Sequence, residues 1–405
     1  MIESSKVKSQ SGSPPEVFLV FLKLGLTSFG GPIAHLAYFR SEIVGRRRWV
    51  SDDQFGQLLA ICQFLPGPAS SQLGFTLGLL RAGSFGALAA FIAFTLPSVL
   101  VLLAFAAALP FLAGDIGVAT VHGLKLVACA VVADAVLSMS KNLCPDTKRR
   151  VIAVLTASVL LITPSALAQL LVVAMAAIIG ILFLRGIEAS ESDSRIRIPF
   201  GPRTGIVLLI IFAGLLFGLP MITTGKLELV SVAEAFYRVG ALVFGGGHVV
   251  LPLLQDSVVA TGWISPEEFL SGYGAAQAIP GPMFAFSAYL GEVMSPGDNT
   301  YLMAATALGF VFLPGFLLVA GVLPFWGAVS GNPMARRAIA GVNAAVVGLL
   351  GAALYNPIFT SGITNSVDLA IALVAFALLA VWRMSPLIVV LWCVAASVSQ
   401  LWLFS

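Results

Sequence analysis

The sequence predicts an all-α polytopic membrane protein built from two inverted homologous repeats whose helices are broken by glycine and proline. Three observations predict it. Hydrophobic residues make up 59% of the 405 and charged residues 10%, against roughly 25% charged in a soluble domain, so too little charge remains to cover a water-facing surface. Apolar runs near the roughly 20 residues that cross a bilayer follow one another along the chain. The motifs of the first half return, in order, in the second.

The same composition excludes disorder, which needs low hydrophobicity and high charge. A net charge of +3 spread over so long a chain speaks against nucleic acid as a partner. Cys62, Cys129, Cys144 and Cys393 form no Cys-x-x-Cys pair, and His35, His122 and His248 have no ligand spacing. No metal site, disulfide framework or cofactor is expected. Without a credible catalytic set the chain reads as a non-enzyme, and without an ATP site any transport must run on a gradient.

Residues 1–16 are polar, carry Lys6 and Lys8, and lack a signal peptide's apolar region and cleavage site; they read as a cytoplasmic tail. A first transporter repeat is expected over 17–185, from apolar runs at about 17–39, 55–80, 85–112, 117–139, 151–163 and 166–185. The run 151–163 is too short to span and joins 166–185 through Pro164 as a tight helical hairpin. A cytoplasmic linker over 186–203 carries Glu188, Glu191, Asp193, Arg195, Arg197 and Arg203, and 204–222 reads as a connecting transmembrane helix. The second repeat is expected over 232–405, with runs at about 232–254, 269–291, 301–327, 337–355, 366–382 and 385–404.

The repeat is read from particular residues. Lys23-Leu24-Gly25 and Phe29-Gly30-Gly31 match Arg238-Val239-Gly240 and Phe244-Gly245-Gly246 at an offset of 215. Trp49, Phe55, Gln63 and Pro66-Gly67-Pro68 match Trp263, Phe269, Gln277 and Pro280-Gly281-Pro282 at 214. Further on, Pro110 matches Pro324 and Gly123 matches Gly341. Such duplication is common in secondary transporters.

Six segments, one connecting helix and six more place the second half upside down. Positive charge should face the cytoplasm. Thirteen plain spans put nearly all Lys and Arg on one side but strand Arg46-Arg47-Arg48 on the other. The violation vanishes if 17–39, 55–80, 232–254 and 269–291 are re-entrant hairpins, the first two dipping from the cytoplasm and the last two from outside. Continuous broken spans remain the alternative.

In hydrocarbon every backbone N–H and C=O needs a partner, so breaks at Gly30-Gly31-Pro32, Pro66-Gly67-Pro68, Gly245-Gly246-Gly247 and Pro280-Gly281-Pro282 point to a polar cavity. Each is followed by a run that can restart as a helix, with free N–H groups and a positive dipole end facing the break. Converging helix N-termini make an anion site. Ser51 before Asp52-Asp53, and Ser265 before Pro266-Glu267-Glu268, read as N-caps of helices that run into Gln63 and Gln277. Those two amides are expected to bind an oxoanion, and Lys23 and Arg238, matched cations in apolar runs, to supply charge. His248, Asp134 and Glu292 are the candidates for carrying a proton, His248 first because its ordinary pKa is physiological. Most of these residues also have a structural alternative: snorkelling for the two cations, a helix–helix hydrogen bond for the glutamines, hydrogen-bonded packing for His248, and a Lys125 ion pair or a place in a lumen for Asp134.

At Phe21-Leu22-Lys23-Leu24-Gly25, Ser28-Phe29-Gly30-Gly31-Pro32 and Gln63-Phe64-Leu65-Pro66-Gly67-Pro68 the chain resembles the chromate ion transporter family in its long two-domain form. The second-half counterparts are Phe244-Gly245-Gly246-Gly247-His248-Val249-Val250-Leu251-Pro252-Leu253 and Gln277-Ala278-Ile279-Pro280-Gly281-Pro282. The resemblance covers both halves. It implies a bacterial inner-membrane protein that exports chromate on the proton motive force, confers chromate resistance, and has halves of opposite orientation. Its expected partners are therefore chromate or a sulfate-like oxoanion, protons and the lipid bilayer, with homo-oligomerisation left open. Sulfate, as another tetrahedral dianion, and a lipid-handling or scaffold role are the competing readings.

Overall fold

In the computed structural model, residues 12–28, 31–112, 114–163, 166–184, 198–223, 226–244, 250–295, 299–326 and 332–403 are described. They are helical throughout, with no strand among them. The helices are α1 Pro14–Thr27, α2 Gly31–Phe39, α3 Asp52–Phe64, α4 Ala69–Ala108, α5 Asp115–Leu143, α6 Thr147–Ile162, α7 Ala166–Phe183 and α8 Pro202–Ile222. The second half contributes α9 Leu229–Leu242, α10 Val250–Val258, α11 Pro266–Gln277, α12 Phe286–Met294, α13 Thr300–Val322, α14 Pro333–Ala353, α15 Ser366–Ala380 and α16 Pro386–Leu403. Large apolar side chains lie open on the outside, Phe85 at 77% and Phe217 at 71% exposure, as a lipid-facing surface requires and a water-facing one avoids. Among the described residues five helices are long and apolar enough to cross a membrane; the chain is a multi-pass membrane protein.

α1 begins at Ser13, whose hydroxyl accepts from Glu16 N–H at 3.4 Å, with prolines in its first turn. It has 14 residues, about 21 Å at 1.5 Å per residue, short of the ~30 Å hydrocarbon core. The chain then turns back along itself. Phe39 meets Phe21 edge-on at 5.4 Å, Glu42 meets Lys23 at 3.1 Å, and Arg47 meets Glu16 at 3.9 Å. Between α2 and that base lies a π-helical stretch, Arg40–Arg46. α3 starts from a full capping box, Ser51 with Gln54, and ends where Leu65 goes extended. α4 returns from the Pro66-Gly67-Pro68 tip to Arg81, whose guanidinium reaches Glu16 at 3.1 Å and lies 5.1 Å from the Trp49 ring. Both hairpins therefore begin and end in one place, around Glu16, Arg47, Trp49 and Arg81. At Ala82 and Gly83 (φ +67°) the backbone breaks within α4.

The second half repeats this. α9 and α10 pack side by side, and Arg238 and Leu242 share a cavity with Leu253 and Asp256. α11 starts from a Ser265–Glu268 capping box with Pro266 in its first turn. α12 returns beside it, the Tyr289 hydroxyl donating to Glu268 O at 2.8 Å.

The end of each half crosses to the other. α6 and α7 pack on α14, and α15 and α16 pack on α5. Equivalent positions carry the exchange: Gly123 of α5 abuts Val394 of α16, and Gly341 of α14 abuts Ala176 of α7. The Ser397 hydroxyl donates to Ala119 O at 2.8 Å, and Gly180 lies on Arg337 O in the matching place. The largest core cluster accordingly mixes residues of both halves, from Val99 and Val132 to Phe236, Phe312 and Val346.

Candidate functional site

The hairpin tips meet crosswise. Gly67 N–H donates to Val243 O at 2.6 Å, and Gly281 N–H donates to Ser28 O at 3.0 Å. These are one bond made twice with the halves exchanged, since Val243 lies 215 after Ser28 and Gly281 lies 214 after Gly67. Both glycines have positive φ, +121° and +100°, where a side chain is strained. Neither has room for one: a Cβ on Gly67 would lie 3.1 Å from Gly315 Cα, and one on Gly281 would run into Ser98 Oγ. The carbonyls of the tips are also satisfied. Gln72 Nε2 donates to Pro66 O at 2.8 Å and to Gly315 O at 3.0 Å, and Ser98 Oγ donates to Pro280 O at 2.6 Å.

A helix restarts after each of these two tips. Pro68 and Pro282 are the N-caps and offer no side-chain cap, so first-turn N–H groups face the junctions without intrahelical partners. That is the electrostatics of an anion site.

The expected site residues divide. Pro66, Gly67, Pro68, Pro280, Gly281 and Pro282 form the two tips, and Gly31 and Pro32 begin α2. Gly30, Gly245, Gly246, Gly247 and His248 lie outside the described residues. Gln63 is exposed near the end of α3, whereas Gln277 is half-buried with Nε2 3.9 Å from Met283 Sδ; the two amides are not equivalent in their surroundings. Lys23 and Arg238 do not reach the tips as free charges. The Lys23 ammonium, 53% exposed, is held by Glu42, and Arg238 Nε donates to Glu234 Oε1 at 2.8 Å. Glu42 also receives Arg46 and Arg47 at 3.2 and 2.8 Å. Burial alone would raise the Glu42 carboxyl, but hydrogen bonds from Arg47, Lys23 and Arg46 outweigh it and hold the group at about 2. Asp256 stands 214 after Glu42 and borders the cavity that Arg238 lines, so each repeat sets a carboxylate against its matched cation. Asp134 is half-buried on α5, with Lys141 the cation acting on it. Glu292, on α12, has a buried oxygen with no hydrogen-bond partner among the described residues.

Sequence reasoning missed a cluster under the Gly281 junction. His35, on α2, is buried, with Nε2 3.1 Å from Ser28 O and its ring edge-on to Phe94 at 5.4 Å. A carbonyl only accepts, so Nε2 carries the proton and Nδ1 is left without a partner; Ser28 Oγ, Ser71 Oγ and Thr95 Oγ1 also lack one among the described residues. Ser28 and Ser71 lie beside the breaks in sequence, which is a usable signal; nothing local marks His35 or Thr95.

A family model described as chromate transporter matches residues 15–181 and again 230–398. The chain is similar to a probable chromate transport protein of Synechococcus elongatus, 28% identical over 386 residues, covering 93% of each chain. It is similar to the chromate transport protein of Pseudomonas aeruginosa, 27% identical over 354 residues, covering 84% of this chain and 80% of that one. A chromate transport protein of Cupriavidus metallidurans is 27% identical over 349 residues, covering 84% and 81%. No solved structure matches the chain at a significant level.

Proposed function

The chain belongs to the chromate transporter family, and on that premise we propose that it is a secondary transporter exporting chromate across the cytoplasmic membrane, driven by the proton motive force and conferring chromate resistance. The observation that carries this reading is the reciprocal junction, Gly67 N–H to Val243 O and Gly281 N–H to Ser28 O. Broken backbone is tolerated at membrane depth where it is buried in protein or lines a cavity, and here it lies between two homologous halves, where transporters of this kind bind and alternate access.

In this reading the hairpins of α1–α2 and α3–α4 dip from the cytoplasm and those of α9–α10 and α11–α12 from the opposite face. The base at Arg46, Arg47 and Arg81 then lies inside, as does the N-terminus, in keeping with the positive-inside rule. Direction follows from charge. A dianion leaving a cell whose interior is negative gains about 4.6 kcal/mol per 100 mV, twice the value for one charge. First-turn N–H groups of the restarted helices, with Gln277 at the tip and Lys23 and Arg238 behind, attract the oxoanion. His248, Asp134 and Glu292 remain the proton carriers this reading assigns.

The test is chromate uptake into inside-out vesicles under an imposed membrane potential or pH gradient, with sulfate as competitor. Uptake that follows the gradient supports the reading. Sulfate competing as an equal substrate makes the protein a general tetrahedral-oxoanion carrier, and no gradient-dependent uptake of either anion overturns it.

A further inference from the structure

We propose that, beside Gln277 and the backbone N–H groups, the oxoanion is ligated by a buried side-chain set that only the first half supplies: the hydroxyls of Ser28, Ser71 and Thr95 together with His35 Nδ1. The inference rests on the oxoanion-transport reading and names that site's ligands.

The four atoms have no hydrogen-bond partner among the described residues, and their residues are at most 4% exposed. An unpaired buried polar atom is destabilising, so four of them ask for something to bind. They do converge. Ser28 and His35 are joined through the Ser28 carbonyl, and His35 lies against Phe94, next to Thr95. Phe39, one turn beyond His35, contacts Gly74, and Ser71 is one turn back from Gly74 on the same face of α4. Ser98, one turn beyond Thr95, holds the Pro280 carbonyl. The cluster therefore sits under the junction of Ser28 with Gly281, beside the first turn of α4.

Among the described residues the equivalent positions of the second half carry no such set, although Ser287 Oγ on α12 is also buried without a partner. At offsets of 214 to 217, Ser28, His35, Ser71 and Thr95 are answered by Val243, Val250, Ala285 and Phe312. The backbone junction is doubled, and these four polar side chains are not.

His35 adds a condition. Its Nε2–H is committed to the Ser28 carbonyl, so Nδ1 presents a lone pair to an anion unless it is protonated. The oxoanion and a proton on His35 then bind together. The ionised groups on the elements packed against His35 are Glu16 and Lys23 of α1, Arg40, Glu42 and Arg46 of the π-helical stretch that follows α2, and Arg81 of α4. Glu16, Lys23 and Arg81 are held in ion pairs at the hairpin base.

The experiment is equilibrium binding of radiolabelled chromate and of sulfate to the full chain in lipid nanodiscs at pH 8 and pH 6. Thr95→Val and Ser71→Ala are expected to weaken binding about tenfold each at both pH values, the loss of one hydrogen bond to a charged partner. Wild-type binding tightens toward pH 6. His35→Gln keeps only the part of that change that belongs to the anion's own protonation, which sulfate lacks in this range. Val250→Ala and Phe312→Leu stay within about twofold of wild type. If wild type binds but Thr95→Val, which preserves shape, and Ser71→Ala bind equally well, the ligand set is wrong and the transport reading stands. Equal losses from the second-half variants overturn the one-sidedness. A wild type that binds neither anion removes the transport reading itself. Should His35→Gln fail to fold, Thr95→Val decides.

Discussion

The first hairpin of each half is folded alike and charged oppositely. In α1–α2 one buried carboxylate, Glu42, gathers Lys23, Arg46 and Arg47. In α9–α10 one cation, Arg238, stands with two carboxylates, Glu234 at 2.8 Å and Asp256 across a shared cavity. The tips show a second contrast, polar around Ser28 and His35 and apolar around Val243 and Val250. The backbone features that needed glycine and proline were kept in both copies, because a broken helix tolerates no other residues there. The side chains around them were free to diverge, and charge diverged with them.

Four predictions press on that comparison. The largest effect is expected at the junction. Gly67→Ala and Gly281→Ala should each cut vesicle transport by more than tenfold, with about 1–2 kcal/mol lost to left-handed backbone alone. They should differ in rescue. Ser98→Ala removes the atom that a Cβ on Gly281 strikes and should restore part of its transport, whereas a Cβ on Gly67 meets the Gly315 backbone as well as the Gln72 side chain, so trimming Gln72 should restore less. Equal rescue of both would mean that the junctions are not built as described.

Next is the charge contrast. Glu42→Gln leaves three cations around a neutral group and should cost about 3 kcal/mol, while Asp256→Asn should cost less than about 1 kcal/mol; thermal unfolding in detergent compares them. A pH series sharpens this. The Glu42 carboxyl is held at about 2, below its ordinary value of 4.5. A depressed carboxylate contributes stability above its unfolded pKa and loses it as pH falls through the folded one. Wild type should therefore lose an increment of stability between about pH 4.5 and 2 that Glu42→Gln never had. The smallest effect is expected where the halves agree: Ser51→Ala and Ser265→Ala each remove a capping-box hydroxyl and should cost about 1 kcal/mol alike.

Much of this was legible in the residues. Ser51 and Ser265 announce their helices because a capping box is local: the hydroxyl accepts from the N–H three residues on, and the side chain there accepts from the serine N–H. The Pro-Gly-Pro motifs announce tips because proline and glycine act on the backbone directly. Arg46-Arg47-Arg48 pointed to a hairpin, and the ion pairs of Glu16 with Arg47 and Arg81 bring its ends together. Other features rest on contacts between distant segments and leave no local mark. Lys23 read as a substrate cation because its partner Glu42 is 19 residues away. Gly123 and Gly341 read as equivalent, but nothing in either neighbourhood says that each lies against the opposite half. His35 sits in an apolar stretch with no pattern to distinguish it.

The crossing of the terminal hairpins has a consequence in time. Residues are added in order, so α6 and α7 enter the membrane when α14, the helix they rest on, has still to be made. About 150 residues separate the end of α7 at Phe183 from the start of α14 at Pro333. At roughly 5–20 residues per second that is a wait on the order of 10–30 s, during which Gly180 and Ala176 face lipid or whatever holds them. α5 waits longer, for α15 and α16. The first half is therefore finished as sequence well before it is finished as structure, and its last helices close only when the second half arrives to be embraced.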